Sequence, residues 1–185
     1  MNEYDFTLTF TIPNPEERDR YVEKLYEANC DDALIGIGKT GSIALNFIRE
    51  KETAYQAIYS AIHDVREIIP EAIFLQAEPD LVGMSDLADL IGCTRQNIRK
   101  LLTNDSSSPS PCYSYAFSLW HLADILFWLQ ESKSYAIDQS LLEVSEVNMK
   151  LNISVHQLKT DKNTSTDRAI KDLAKFAVFN QLSIR

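Results

Sequence analysis

The chain has 185 residues, 45% of them hydrophobic, and a formal net charge of −9, which are ordinary values for a soluble globular protein of one or two domains. It contains neither an apolar run long enough to span a membrane nor a basic and apolar secretory start, so we expect a cytoplasmic protein without a membrane partner. Cys30, Cys93 and Cys112 are too scattered for a disulfide framework or a zinc site, and we expect reduced, mostly packed thiols.

The charge is distributed unevenly along the chain. Residues 1–80 contain 7 Lys/Arg and 16 Asp/Glu, net −9; residues 81–134 contain 4 and 5, net −1; and residues 135–185 contain 7 and 6, net +1. Such asymmetry indicates modules with different roles. Because an acidic surface is repelled by phosphate, we expect the N-terminal module to face away from any nucleic acid that the rest of the chain binds.

The N-terminal third alternates strand and helix patterns. Periodicity and breaking residues predict the order strand, helix, strand, strand, helix, strand, over residues 4–12, 16–28, 33–37, 42–48, 52–69 and 73–77. The second helix includes Tyr55 in its apolar stripe. This βαββαβ order resembles the ferredoxin-like fold, which we assign to residues 1–79. Such domains act as sensors, dimerisation units or partner-binding surfaces, so we expect a protein or small-molecule effector here, and the residues do not choose between them.

Residues 84–102 fit two short helices that cross at a steep angle. Ala88 is small where the second helix must approach, and Gly92 suits a turn with left-handed backbone. Thr94 can cap the second helix. The apolar positions that would form the shared core are Leu87, Ile91, Cys93, Ile98 and Leu101.

The second helix of this pair, residues 94–102, leaves side chains exposed that suit DNA. Arginine pairs with guanine edges, glutamine and asparagine pair with adenine edges, and lysine neutralises phosphate. The alternative is an amphipathic helical hairpin that only packs. The predicted DNA-binding residues are Thr94, Arg95, Gln96, Asn97, Arg99 and Lys100, with Tyr113 and Tyr115 from the strand-like stretch that follows.

Residues 81–130, about a quarter of the chain, resemble the winged helix-turn-helix domains of the MerR and excisionase (AlpA-like) families. The resemblance rests on the recognition helix 94–102, a proline loop at 109–111, a strand-like wing at 112–117, and a helix that starts with the small polar residue Ser118. It implies double-stranded DNA as the ligand, with the recognition helix in the major groove, and a homodimer that reads paired half-sites. The wing departs from the family pattern, since it has Tyr113, Ser114 and Tyr115 where arginine or lysine is usual.

The C-terminal region, residues 134–185, is predicted to be helical over residues 137–158 and 166–182. A single asparagine at a core position can fix the register of a two-stranded coiled coil, so we expect this region to support dimerisation. Packing within one subunit is the alternative. The heptad pattern comprises Ile137, Leu141, Val144, Asn148, Leu151, Val155 and Leu158.

The predicted protein is therefore an α+β transcriptional regulator with domains at residues 1–79, 80–133 and 134–185. The alternative is an antitoxin-like protein whose N-terminal domain binds another protein while its DNA-binding unit controls its own promoter. We expect no enzyme and no cofactor, because no nucleophile, base and orienting acid can be assembled from the spacing. We also expect no metal, because His63, His121 and His156 have no companion ligands in the sequence pattern.

Overall fold

The computed structural model describes residues 1–28, 30–37, 41–161, 167–171 and 173–174. The chain is an α+β protein with antiparallel sheets, and it divides into two compact units, Met1–Asn152 and Ile153–Arg185. None of the described helices is long and apolar enough to cross a membrane. Of the predicted final helix, residues 166–182, only 167–171 and 173–174 are described, and they are helical; the remainder lies outside the described residues.

The first part of the chain forms a four-stranded sheet with two helices. The sheet has the strand order β2-β3-β1-β4, and every neighbouring pair is antiparallel. A short 3-10 turn, Pro15–Glu17, precedes the first helix. The elements in chain order are β1 (Asn2–Thr11), α1 (Arg18–Glu27), β2 (Ala33–Ile37), β3 (Ser42–Lys51), α2 (Ala54–Ile68) and β4 (Ile73–Glu78).

The alternating pattern of β1 places its aromatic and aliphatic side chains on one buried face. Phe6 lies opposite Phe47 of β3, with ring centroids 5.5 Å apart, and Leu8 lies opposite Leu45. These residues share one core with Leu25 of α1 and with the inward face of α2. The strand prediction from period-two alternation is therefore confirmed at β1.

The inward face of α2 is narrower than the sequence predicted. Tyr55 is 63% exposed, so its predicted place in the apolar stripe is wrong. The helix approaches the sheet through small residues, and a tyrosine at the flank of this narrow contact turns to solvent. The buried positions of α2 are Ala54, Ala57, Ile58, Ala61 and Val65.

The middle of the chain forms a second group of elements around a three-stranded sheet with the order β5-β7-β6. Leu81 pairs with His121 and Val82 with Trp120, while Tyr113 pairs with Leu119 on the other side of the same strand. The elements are β5 (Leu81–Val82), α3 (Met84–Ile91), α4 (Arg95–Asn104), β6 (Tyr113–Ser114), β7 (Ser118–His121) and α5 (Leu122–Lys133).

The predicted start of the helix at Ser118 is wrong, because residues 118–121 form the central strand β7 and α5 begins at Leu122. The predicted helix, residues 118–130, is apolar on nearly all sides, and such a run suits a helix and a buried strand equally well. The backbone of β7 pairs with β5 on one side and β6 on the other, and β5 is distant in the sequence. Pairing with β5 could not be anticipated from the local pattern.

The long helix α6 (Gln139–Thr160) contributes to both hydrophobic cores of the first unit through the part of it that belongs to that unit, residues 139–152. Val144 belongs to the core of residues 4–77, whereas Leu142 belongs to the core around α3, α4 and α5. Asn148 is fully buried, and its Nδ2 donates a hydrogen bond to the carbonyl of Pro79 at 3.1 Å. The first half of the predicted heptad stripe therefore packs within the chain, while Leu158 is 80% exposed. Dimerisation through residues 134–185 stays a prediction.

The segment that connects β4 to β5 is held tightly by α6. Asn152 receives a hydrogen bond at Oδ1 from the backbone N–H of Ala77, and its Nδ2 donates to the Ala77 carbonyl and to Asp80 Oδ2, each at 2.8 Å. The other oxygen of Asp80 lies 2.6 Å from His121 Nδ1 at the end of β7. The predicted domain border at residues 79–80 is thus a fixed polar junction rather than a loose linker, and the domain borders themselves stay predictions.

The three cysteines occupy different environments. Cys30 is buried, and this burial raises the pKa of its thiol to about 11. Cys93 is half-buried, whereas Cys112 is exposed. The expected packed thiol is found at Cys30 and partly at Cys93, but the prediction is wrong at Cys112, whose Sγ donates to the carbonyl of Leu119 at 3.3 Å at the margin of the β6–β7 hairpin.

Candidate nucleic-acid interface

The pair of helices α3 and α4 is joined by a tight turn. The backbone N–H of Gly83 donates to Asp86 Oδ2 at 3.0 Å and so closes the first turn of α3. At the other end, Gly92 has φ +72° and its N–H bonds back to α3. This left-handed conformation costs glycine little, because it has no Cβ. The chain can therefore turn at Gly92 and begin α4 at Arg95.

Helix α4 starts with a side-chain cap and has two distinct faces. Thr94 Oγ1 accepts a hydrogen bond from the backbone N–H of Asn97 at 3.2 Å, as expected for an N-cap. Ile98 is fully buried, and Leu101 and Leu102 pack against the same core. At about 100° per residue, these three side chains occupy one side of the helix.

The opposite side of α4 carries the predicted DNA-binding residues. Arg95, Gln96, Arg99 and Lys100 are all exposed, and their spacing by three and four residues puts them on one half of the helix. Thr94 is exposed and caps the helix. Asn97 differs from the others, since it is half-buried at the border between the two faces.

Two further polar residues on the same face were missed by the sequence analysis. The structure extends α4 to Asn104, so that Thr103 and Asn104 are exposed within its last turn. Thr103 lies one turn beyond Arg99 on the same side. Their types favour loops, and the predicted recognition helix, residues 94–102, ended before them. The only pattern in the sequence that could have placed Thr103 and Asn104 in α4 is its amphipathic spacing, which continues through these two residues.

The exposed face of α4 is locally cationic although the chain is acidic. Residues 90–104 contain Arg95, Arg99 and Lys100 and no acid. Within the described part of the chain, none of these three cations is paired with a carboxylate. Their charges therefore face solvent and are available to an anionic ligand.

The nearest acid after α4 is neutralised locally. Asp105 accepts a hydrogen bond from Lys133, and it also accepts from the backbone N–H of Ser107 at 2.8 Å and from the Ser107 hydroxyl at 2.7 Å. The hydrogen bond from Lys133, followed by those from Ser107, holds the pKa of Asp105 well below its usual range. This carboxylate is thus occupied at the end of the helix.

The loop that follows α4 is pinned by two tryptophans. Trp120 Nε1 donates to the carbonyl of Pro109, and Trp128 Nε1 donates to the hydroxyl of Ser107, both at 3.1 Å. Ser108 Oγ donates to the carbonyl of Leu102 at 2.8 Å. The loop is therefore fixed to β7, α5 and α4, and it presents the β6–β7 hairpin on a rigid base.

The hairpin exposes an aromatic surface, which we define as Tyr113, Tyr115 and Phe117. Tyr115 is 91% exposed and Phe117 60% exposed. The rings of Tyr113 and Phe117 contact each other, with centroids 5.4 Å apart. The structure therefore places Tyr113 and Tyr115 on an accessible hairpin, as the predicted role requires. Phe117 lies within the predicted wing at 112–117 but was not among the predicted DNA-binding residues.

Histidine environments differ from the sequence expectation. His63 Nδ1 lies 3.9 Å from an oxygen of Asp64 and 3.9 Å from an oxygen of Glu67, so the expectation that it has no companion ligands is wrong. Ligands of a tetrahedral zinc, each about 2.1 Å from the ion, lie roughly 3.4 Å apart. The three side chains are wider than this spacing, and Asp64 is already engaged by Arg49 at 2.7 Å. We assign no metal to this group.

Comparison with protein-family models, with curated proteins and with solved structures found no match to this chain.

Proposed function

We propose that the chain is a sequence-specific DNA-binding regulator that reads the major groove of duplex DNA with α4. The observation that carries this proposal is the division of α4 into a buried apolar side and an exposed side with Arg95, Gln96, Arg99 and Lys100. These types include the donors and acceptors that recognise base edges and the cations that neutralise phosphate. Each good bidentate contact with a base contributes about 1–3 kcal/mol of discrimination.

The surrounding elements support a winged helix-turn-helix assignment for residues 80–133. The left-handed turn at Gly92 and the threonine cap on α4 suit the two crossing helices. The pinned β6–β7 hairpin has the position in the chain that a wing would have. Major-groove readers of this class commonly bind as dimers on paired half-sites, so we include a homodimer in the proposal.

The N-terminal part is proposed to be a ferredoxin-like effector or partner domain. Support comes from the βαββαβ element order, the antiparallel strand order β2-β3-β1-β4, and the core that both helices share with the sheet. Its 16 acids against 7 bases over residues 1–80 make it a poor ligand for DNA. We therefore place it away from the duplex.

Selection from a random duplex library, followed by salt titration, tests this proposal. We expect an enriched motif, and we expect Arg99→Ala and Lys100→Ala each to lower the slope of log affinity against log salt by about one unit for each lost phosphate contact. Arg20→Ala is the matched control, because it removes an exposed cation from α1, far along the chain from α4. Failure to enrich any motif, or equal slopes for all variants, would contradict the proposal.

A second candidate function, binding of a protein partner by the N-terminal domain, is favoured by one observation. Tyr55, Tyr59 and His63 form an exposed stripe of rings along α2, with centroids 6.0 Å apart for the stacked tyrosine pair and 6.4 Å apart for Tyr59 and His63. Exposed tyrosines are frequent at binding surfaces. A stoichiometric co-purifying partner that is lost in Tyr55→Ser and Tyr59→Ser would support an antitoxin-like role.

A further inference from the structure

The β6–β7 hairpin has a surface chemistry different from that of α4. No lysine or arginine occurs between Lys100 and Lys133, and no acid occurs between Asp105 and Asp124. The hairpin therefore carries no formal charge, while its aromatic surface is open to solvent. It cannot add to phosphate neutralisation, because that contribution requires cations. Any side-chain contact that the tip of the hairpin makes with DNA therefore has to come from aromatic rings and hydroxyl groups.

The geometry holds this surface ready for contact. Pairing of Tyr113 with Leu119 and of Ser114 with Ser118 leaves residues 115–117 as the connection at the tip. Tyr113 and Phe117 brace each other, which leaves Tyr115 as the most exposed ring. The base of the hairpin is fixed through Trp120 to Pro109. This attachment matters, because unstacking one base step of DNA costs a few kcal/mol, and a flexible loop would change its own conformation rather than unstack the bases.

We propose that the hairpin is an apolar wedge, in which Tyr115 with Phe117 enters the minor groove beside the bases read by α4 and partly unstacks one base step. This inference rests on the proposed function, since it concerns the same DNA complex. The absence of acids over residues 106–123 removes the repulsion that an acidic hairpin would meet in the groove. The tyrosine hydroxyl can in addition donate to the N3 and O2 acceptors of an A·T pair.

The wedge predicts which class of DNA site the protein prefers. Pyrimidine–purine steps such as TA are easily kinked, whereas A-tracts are stiff. The preferred sites should therefore carry a flexible step next to the bases that α4 reads. The protein would then read two properties of the site, the base edges through α4 and the deformability through the hairpin.

The experiment uses the full-length chain and the duplex obtained by selection. Each step flanking the enriched motif is changed in turn to TA or to AA, and bending is measured by energy transfer between dyes at the duplex ends. We expect the wild type to bend the DNA and to bind the best TA duplex about tenfold more tightly than its AA counterpart. Tyr115→Ala should reduce both the bend and this preference, while discrimination within the enriched motif is retained.

Matched variants show whether the bend depends on the aromatic ring of Tyr115. Tyr115→Phe keeps the ring, and Ser114→Ala alters an exposed neighbour on the same hairpin, so both should bend DNA like the wild type. Circular dichroism checks that Tyr115→Ala is folded, which its exposure leads us to expect.

Three outcomes would overturn the wedge. The first is specific binding by the wild type without any bend in the DNA, or a bend and a step preference that are unchanged in Tyr115→Ala. Either result overturns the wedge while leaving the proposed function intact. A lower oligomeric state of Tyr115→Ala with an unchanged bend also overturns it and makes the hairpin a protein contact. Absence of specific duplex binding by the wild type overturns both proposals.

Discussion

Arginine serves two different purposes in the two halves of this molecule. Arg49 on β3 is only 6% exposed and donates to Asp32 at 2.6 and 2.9 Å, to Asp64 at 2.7 Å and to Ser60 at 3.0 Å. Although burial opposes the charge, the hydrogen bonds with Asp32 and Asp64 raise the pKa of the Arg49 guanidinium. Arg95 and Arg99 are instead exposed on α4.

This contrast shows that net charge says little about where charge is available. In the acidic half, Arg49 is occupied by Asp32 and Asp64, so this arginine is not available to a ligand. The nearly neutral middle of the chain has three of its four cations, Arg95, Arg99 and Lys100, on one face of α4. A long-range field is set by the sum of charges, but contact with a ligand depends on the cations that are unpaired.

The largest expected effect is the loss of stability on removing Arg49. Arg49→Ala leaves the partly buried Asp32 and Asp64 without their shared partner, and breaking a buried pair in this way costs about 3–5 kcal/mol in free energy of unfolding. Arg95→Ala, at an exposed position, should change it by no more than roughly 0.5 kcal/mol. Urea denaturation measures both. Similar losses of unfolding free energy for the two variants would contradict the distinction between a structural arginine and one that is available to a ligand.

A smaller loss is expected on α6, where the structure places Asn148 inside one chain. Asn148→Leu removes the donor to the Pro79 carbonyl and should lower the free energy of unfolding by about 1–3 kcal/mol. Asn104→Ala, at an exposed position, is the control. Because the contact is within the chain, the loss should not depend on protein concentration in thermal unfolding. A loss that grows on dilution would indicate a coiled-coil role between subunits.

The smallest effect concerns the turn between α3 and α4. A Cβ at Gly92 meets no heavy atom within 4 Å, so the cost of Gly92→Ala comes from the backbone at φ +72° alone. We expect about 1–2 kcal/mol in free energy of unfolding. Gly92→Asn should cost less, because asparagine tolerates this conformation better. Equal stability of the alanine variant and the wild type would mean that the turn relaxes to another conformation.

The parts of the fold that depend on neighbours along the chain could be predicted from the sequence. The alternation in β1, the cap at Thr94 and the glycine turn at Gly92 each act within a few residues, and the structure places them as expected. The site residues on α4 follow from the same local rules, although the helix continues to Asn104.

The missed features depend on contacts between distant segments. Strand β7 forms because β5 pairs with it, and nothing in residues 118–121 distinguishes that strand from a helix. Tyr55 is exposed because alanines bring α2 close to the sheet. Arg49 binds one carboxylate from the turn before β2 and one from α2, on either side of it in the sequence. Tertiary packing determines the structure at such positions, and the hydrophobic periodicity of the sequence carries no information about these distant contacts.

The central claim, that the exposed face of α4 reads base sequence, is tested most directly by comparing two DNAs with one double variant. Arg95→Ala with Gln96→Ala should weaken binding to the selected duplex by about 2–6 kcal/mol if both side chains make bidentate base contacts. Binding to random duplex of the same length and at the same salt should fall far less, because base contacts specify and phosphate contacts position. Equal losses of affinity on the selected and the random duplex would contradict the account.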